Sequence, residues 1–231
     1  MAHASKRFSR RDIRRPDQFV ALTGRFFHLV THYRTHFIAA AAAIIIILLG
    51  LWGWEAYRAG QNRLAAREYG SALSLYHEGR YLQAVDAFSR LRSYSSSPYS
   101  RLAILYQANS YLALENPVKA AASLEELLQR ERKETFLRQI GLLTLASLQE
   151  RTARCKEAVS RFAEAEKIAG PFKDDALLGK ARCSLQLRDL KEALSSYRQY
   201  LTNYPGSERS GEISLRIQEI EAKIASGNSA K

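Results

Sequence analysis

Three histidines, His28, His32 and His36, recur every four residues and would share one face of a helix. Imidazoles at that spacing can hold a metal. No carboxylate or cysteine accompanies them, however, and His36 borders a long uncharged run, so packing at an interface is the favoured reading. All five histidines of the chain lie at or before His77. The two cysteines, Cys155 and Cys183, fit no zinc spacing and are too few for a disulfide framework. The acidic pairs Glu125-Glu126 and Asp174-Asp175 fall on a helix surface or at a helix start, where Asp174 reads as a cap. There is no GxSxG, no phosphate-binding glycine loop and no metal-spaced cluster of His, Cys and Asp. These residue types predict no catalytic site, no cofactor, no metal and no small-molecule substrate.

The elements around them are better defined. Between Arg34 and Glu55 lie twenty residues without Asp, Glu, Lys or Arg, read as FIAAAAAIIIILLGLWGW from Phe37 to Trp54. Twenty helical residues span about 30 Å, the thickness of a bilayer's hydrocarbon core. Eight are Ile or Leu, which together favour insertion by roughly 2–5 kcal/mol. Trp52, Trp54 and Tyr57 gather at the far end, where amphipathic rings prefer the membrane interface. A buried soluble helix, a cleaved signal peptide and an organelle transit peptide are the competing readings. The leader of 34 residues and the length of the apolar run favour an uncleaved signal anchor, a single-pass transmembrane helix over 35–57.

The net charge of +12 is unevenly spread. Eight Lys or Arg stand in residues 1–34 against two acidic residues, whereas Arg58, Arg63 and Arg67 follow the span. The basic side stays cytoplasmic, which places the remainder of the chain outside, in the periplasm of a Gram-negative cell. Residues 1–16 form a basic cytoplasmic tail suited to anionic head groups. After Asp17, Phe19, Leu22, Phe26, Leu29 or Val30, Tyr33 and Phe37 recur at helical spacing, which suits a juxtamembrane amphipathic helix over 17–34; a disordered tail that only sets topology is the alternative. Nucleic-acid binding is not expected, since a basic run beside a span ordinarily sets orientation.

An internal repeat organises residues 62–225. Ala72, Ala108, Ala146 and Ala181 are each followed twelve residues later by Ala84, Ala120, Ala158 and Ala193. Four residues beyond each second alanine stands Phe88, Leu124, Phe162 or Tyr197. Turn signals punctuate the units at Gly79, Pro98, Asn116-Pro117, Gly170-Pro171 and Pro205-Gly206. Paired alanines let two antiparallel helices approach, and the bulky residues fill the gap to the next pair. One hairpin cannot bury its apolar face alone, so stacking is required. Residues 208–225 read as a C-terminal capping helix, and 226–231 as a disordered end. The fold class is therefore all-α: one N-terminal transmembrane helix followed by an α-solenoid of about four hairpins and a cap.

The segments AVDAF (84–88), AAASL (120–124), AVSRF (158–162) and ALSSY (193–197), with Pro205, resemble the tetratricopeptide repeat. Glu68, Ile104, Leu142 and Leu177 stand where that family has its signature Trp. The resemblance implies a protein-binding groove lined by the first helix of each hairpin. Its candidate lining is Tyr69, Leu73, Tyr76, His77, Leu105, Asn109, Leu112, Leu143, Arg151 and Arg182, aromatic and apolar first and polar with arginines later. Several of these leucines could equally be core between hairpins. The same register brings Cys155 and Cys183 towards each other on neighbouring helices. A disulfide is conceivable there in an oxidising compartment, but two separate small core residues are favoured.

A short N-terminus, one span and an exported repeat domain is similar to the bacterial YfgM type, a membrane-anchored tetratricopeptide repeat protein of the inner membrane. That resemblance implies an ancillary Sec translocon subunit with a chaperone-like role, with translocon components and secreted proteins as partners and lipid contact through the span and tail. The fourth unit, EALSSYRQYLTNYPGSE (192–208), is also similar to repeats of envelope-assembly and division-coordinating proteins. That implies the alternative of a scaffold docking folded envelope proteins.

Overall fold

A computed structural model describes residues 34–229, and every regular element among them is helical. The basic tail (1–16) and nearly all of the juxtamembrane stretch (17–34), with His28 and His32, lie outside the described residues. The chain divides into two compact units, Met1–Tyr57 and Arg58–Lys231.

The first long element, α1, is Arg34–His77, 44 residues. The sequence reading ends a span at 57 and begins a repeat at 62; no proline separates the two, and the helix is continuous. Among the described residues it is the one helix long and apolar enough to cross a membrane. Ile44 to Leu49, Leu51, Trp52 and Trp54 are all exposed among the described residues.

The second unit is a stack of hairpins. The last turns of α1 pair with α2 (Tyr81–Arg90), followed by a 3₁₀ turn over Leu91–Ser93. The second hairpin is α3 (Pro98–Ala113) with α4 (Pro117–Arg130), and the third is α5 (Phe136–Arg151) with α6 (Cys155–Lys167). The fourth is α7 (Lys173–Gln186) with α8 (Leu190–Asn203). The last helix, α9, covers Ser210–Ser229, whereas the sequence reading ends the cap at 225. Side chains start several of these helices. Asn116 accepts from the Lys119 N–H at 3.1 Å, Thr135 from Arg138 at 3.2 Å and Asp189 from Glu192 at 3.1 Å. Each satisfies one donor that the first turn cannot.

All four hairpin turns use one device. Arg80, Asn116, Arg154 and Asp189 donate backwards to the carbonyls of Leu75, Tyr111, Gln149 and Ser184 at 2.8–2.9 Å. The residue before each of them is left-handed: Gly79, Glu115, Ala153 and Arg188, at φ 75°, 55°, 58° and 61°. This is a Schellman closure, for which glycine is the unstrained choice. Three of the four turns accept the cost of a side chain there, about 1–2 kcal/mol each. That is why glycine marks the first turn alone in the sequence.

Inside the hairpins all eight alanines, Ala72, Ala84, Ala108, Ala120, Ala146, Ala158, Ala181 and Ala193, have no exposed surface. Phe88, Leu124, Phe162 and Tyr197 are buried beside them, as are Leu91, Leu127 and Tyr200. A side chain of this size contributes about 1.5–3 kcal/mol when fully buried. The core is continuous across joints, since Leu124 and Leu128 of the second hairpin share a cluster with Leu142 and Leu145 of the third. Buried Gln139 ties the third hairpin together by donating to the carbonyls of Ala165 and Ile168 at the end of α6.

Successive joints are filled differently. At the first, the Phe88 ring stacks on Tyr106 at 5.7 Å between centroids. At the third, Phe162 lies against Gly179, where a Cβ would overlap the ring. The first two hairpins also hold an aromatic cluster. Tyr69 is 5.3 Å from Tyr99 and 6.0 Å from Tyr106, and Tyr76 is 5.4 Å from Tyr106 and 5.5 Å from Tyr81. Burial, and then the neighbouring Tyr106, pushes the Tyr69 hydroxyl well above the ordinary tyrosine range. Burial likewise raises Tyr76.

Two outcomes are expected. Gly179→Ala forces a methyl group into the ring of Phe162 and costs about 1–3 kcal/mol in denaturant unfolding, whereas Gly70→Ala, which meets nothing within 4 Å, stabilises its helix by about 1 kcal/mol. The raised tyrosines stay protonated in the fold while those of the unfolded chain ionise near pH 10, so their contribution is complete below pH 10 and is lost above it. Thermal unfolding followed from pH 8 to 11.5 shows a falling Tm beyond pH 10, with a shallower fall in Tyr69→Phe.

Candidate functional site

Cavities of the second unit open beside the first helices of the later hairpins. One, with a volume of about 400 Å³, is lined by Ile140, Leu143, Thr144 and Ser147 of α5, Phe162 of α6, Phe172, and Asp175 and Arg182 of α7. The α5 residues recur at helical spacings of three and four, which puts them on one face. Phe162, itself almost fully buried, backs the cavity from α6, its ring seated where Gly179 has no side chain. Phe172 stands at the rim, 5.6 Å from the ring of Phe136. A second cavity of about 260 Å³ shares Asp175 and Arg182 with the first and adds Leu178, Tyr197 of α8, and Arg209, Glu212, Ile213 and Arg216 around the start of α9.

The charged groups between the two cavities are paired. The Arg182 guanidinium donates through Nε to Glu150 Oε1 at 2.7 Å and through Nη2 to Oε2 at 2.8 Å, a two-pronged contact from α7 to α5. Its bond to Glu150 holds Arg182 above its ordinary pKa. Arg209 donates to Asp175 at 3.1 Å, tying the approach to α9 back to α7. Burial raises the Tyr197 hydroxyl, which keeps that wall neutral. The arrangement is an apolar hollow with polar, self-neutralised rims, suited to holding an apolar side chain of a partner rather than a free ion. Among the described residues no group of three or more His, Cys, Asp or Glu could hold a metal.

The residues singled out from sequence are dispersed over this face. Leu143 and Arg182 share the larger cavity. Leu112 and Arg151 meet at a separate hollow of about 280 Å³ near the hairpin turns, with Leu148 and Thr152. Tyr69 and Tyr76 are half-buried in the aromatic cluster, Leu73 is partly buried and His77 is exposed beside Tyr76. Asn109 is partly exposed. Leu105 is only 6% exposed and packs with Leu128 and Leu142, so it is core and offers no lining surface. Ile140, Thr144, Phe172 and Asp175 were missed. The α5 stripe is legible as a helical period, but nothing local marks Phe172, which the Gly170-Pro171 turn delivers to the rim.

One favoured sequence reading is corrected. Cys155 and Cys183 are not separate core residues: they form a disulfide, with Cα atoms 4.9 Å apart. Cys155 opens α6 and Cys183 sits late in α7, so antiparallel packing carries both to one level of the stack.

Among curated proteins, none matches the chain. Solved structures do, in fold. The nearly identical TPR-like repeats of a Podosopora anserina putative kinesin light chain superpose with a TM-score of 0.53 at 16% identity, over 71% of this chain and 97% of that one. MamA gives 0.57 at 14% identity over 68% and 82%, and Pseudomonas aeruginosa pilF gives 0.50 at 21% over 69% and 66%. By sequence, residues 29–222 match the tetratricopeptide repeat-like domain. With its alanine-paired hairpins and stacked first helices, the chain belongs to the tetratricopeptide repeat-like domain family.

Proposed function

We propose that this chain is a membrane-tethered protein-interaction module of the bacterial inner membrane, whose repeat domain stands in the periplasm and holds segments of exported proteins beside the Sec translocon. The observation that carries the binding part is the apolar hollow floored by Phe162 and walled by Leu143, Ile140 and Phe172. Apolar side chains left accessible at the face formed by the first helices suit hydrophobic anchors of a partner segment. An extended segment of a client still in transit presents such anchors, and that favours a chaperone-like role over the docking of a folded surface.

The other parts rest on separate supports. The long apolar helix with no protein cover supports the tether, and the excess of Lys and Arg before it supports a cytoplasmic N-terminus. The Cys155–Cys183 disulfide supports an oxidising compartment for the repeats, since such bonds persist outside the cytoplasm. The link to the translocon rests on the architectural similarity to the YfgM type. Photo-reactive residues placed at Thr144 and Ser147 in intact cells, with Ala122 on exposed α4 surface as control, test the reading. Adducts with exported proteins or translocon components from the first two positions alone are expected. Equal adducts from Ala122, or adducts only with cytoplasmic proteins, contradict it.

A further inference from the structure

The disulfide lies directly behind residues that line the larger cavity. Cys155 and Cys183 cluster with Ala146, Ala158 and Phe162, and Leu143 packs against that cluster. Phe162 and Leu143 are also lining residues of the cavity, and Arg182, which bridges to Glu150, immediately precedes Cys183. The bond therefore crosses the joint between the third and fourth hairpins at the place where the cavity floor is made. That joint is also the one where a glycine, Gly179, faces the large ring of the preceding hairpin. At the first joint a tyrosine fills the same role and no covalent bond is present. The crosslink therefore fixes α6 on α7 at the level where the Phe162 ring seats over Gly179, the contact that backs the cavity.

We propose that oxidation of Cys155 and Cys183 is the maturation step that makes this cavity competent to bind, so that capture of partners here depends on redox state. The proposal rests on the reading of the cavity as the binding site. In the step, two thiols lose two protons and two electrons as the Sγ–Sγ bond forms. The acceptor is the disulfide of a thiol-oxidising protein, which leaves as a dithiol. One of the two thiols attacks that disulfide to give a mixed disulfide, and the other displaces the carrier as the Cys155–Cys183 bond closes. In the closed fold Cys155 is 3% exposed and Cys183 has no exposed surface, so exchange takes place while α6 and α7 are parted.

Hydrogen exchange of the full-length protein in lipid nanodiscs, before and after a phosphine reductant, tests the staple, with Cys155→Ala/Cys183→Ala as a second form. Amides of α6 and α7 are expected to exchange at least tenfold faster without the bond, and those of α3 and α4 to remain unchanged. Crosslinking from Thr144 in cells carrying the double variant is expected to fall at least fivefold. Unchanged exchange in the reduced wild-type protein overturns the proposal even if the double variant fails to fold. Equal Thr144 adducts in both chains overturn it while leaving the binding site standing. Adducts from neither chain sink the binding-site reading and this proposal with it.

Discussion

Two helices can lie at the short end of the usual 8–10 Å separation only where neither presents a bulky side chain to the other. In this chain that condition is met four times, by an alanine on each helix of each hairpin, all without exposed surface. The rest follows. Close pairing makes each hairpin a thin slab with apolar residues on the faces that meet its neighbours, and Phe88, Leu124, Phe162 and Tyr197 then occupy the space between slabs. A slab is unstable alone, so the hairpins stack and α9 closes the far end, burying Ile213 and Ile220 against the fourth. Stacking in turn aligns the first helices along one face, which is where the two cavities joined by Asp175 and Arg182 are found.

What could be read from the chain alone divides along the same line. The fold is periodic, and a period of 35 to 38 residues in alanine is visible without coordinates. The turns were half-visible: Gly79 and Pro117 announce two of them, but Ala153 and Arg188 adopt the same left-handed geometry with side chains that give no signal. The site was less legible because it depends on what is missing. The Phe162 ring behind the hollow seats against Gly179, and a glycine within a helix reads locally as a weakness rather than as the seat of a neighbour's ring. Leu105 and Leu143 are both first-helix leucines, yet one is core and the other lines the cavity, since a helix face is wider than the groove it borders. The disulfide turned on the level at which two antiparallel helices meet, which spacing along the chain leaves open.

The functional account joins these features to a tether. The role proposed above, a module outside the cytoplasmic membrane that receives exported chains, draws on a long apolar helix, a basic segment before it, a crosslink suited to an oxidising compartment and a neutral apolar hollow. The likeness to solved repeat proteins concerns fold; the direction of binding comes from the residues of this chain. Its rims are internally neutralised, with Arg182 on Glu150 and Arg209 on Asp175. That favours apolar anchors over charged tails as the recognised feature.

The claim beneath all of this is that small residues at the seams set the stack. Denaturant unfolding of Ala158→Leu beside Ala122→Leu tests it most directly. Ala158 is sealed between the helices of the third hairpin, and Ala122 is exposed on α4. The seam variant is predicted to lose about 1–3 kcal/mol or more, and the surface variant to stay within about 0.5 kcal/mol of the parent. Equal stability of the two variants would mean that the hairpins do not depend on close approach at their alanines, and the account would fail at its base.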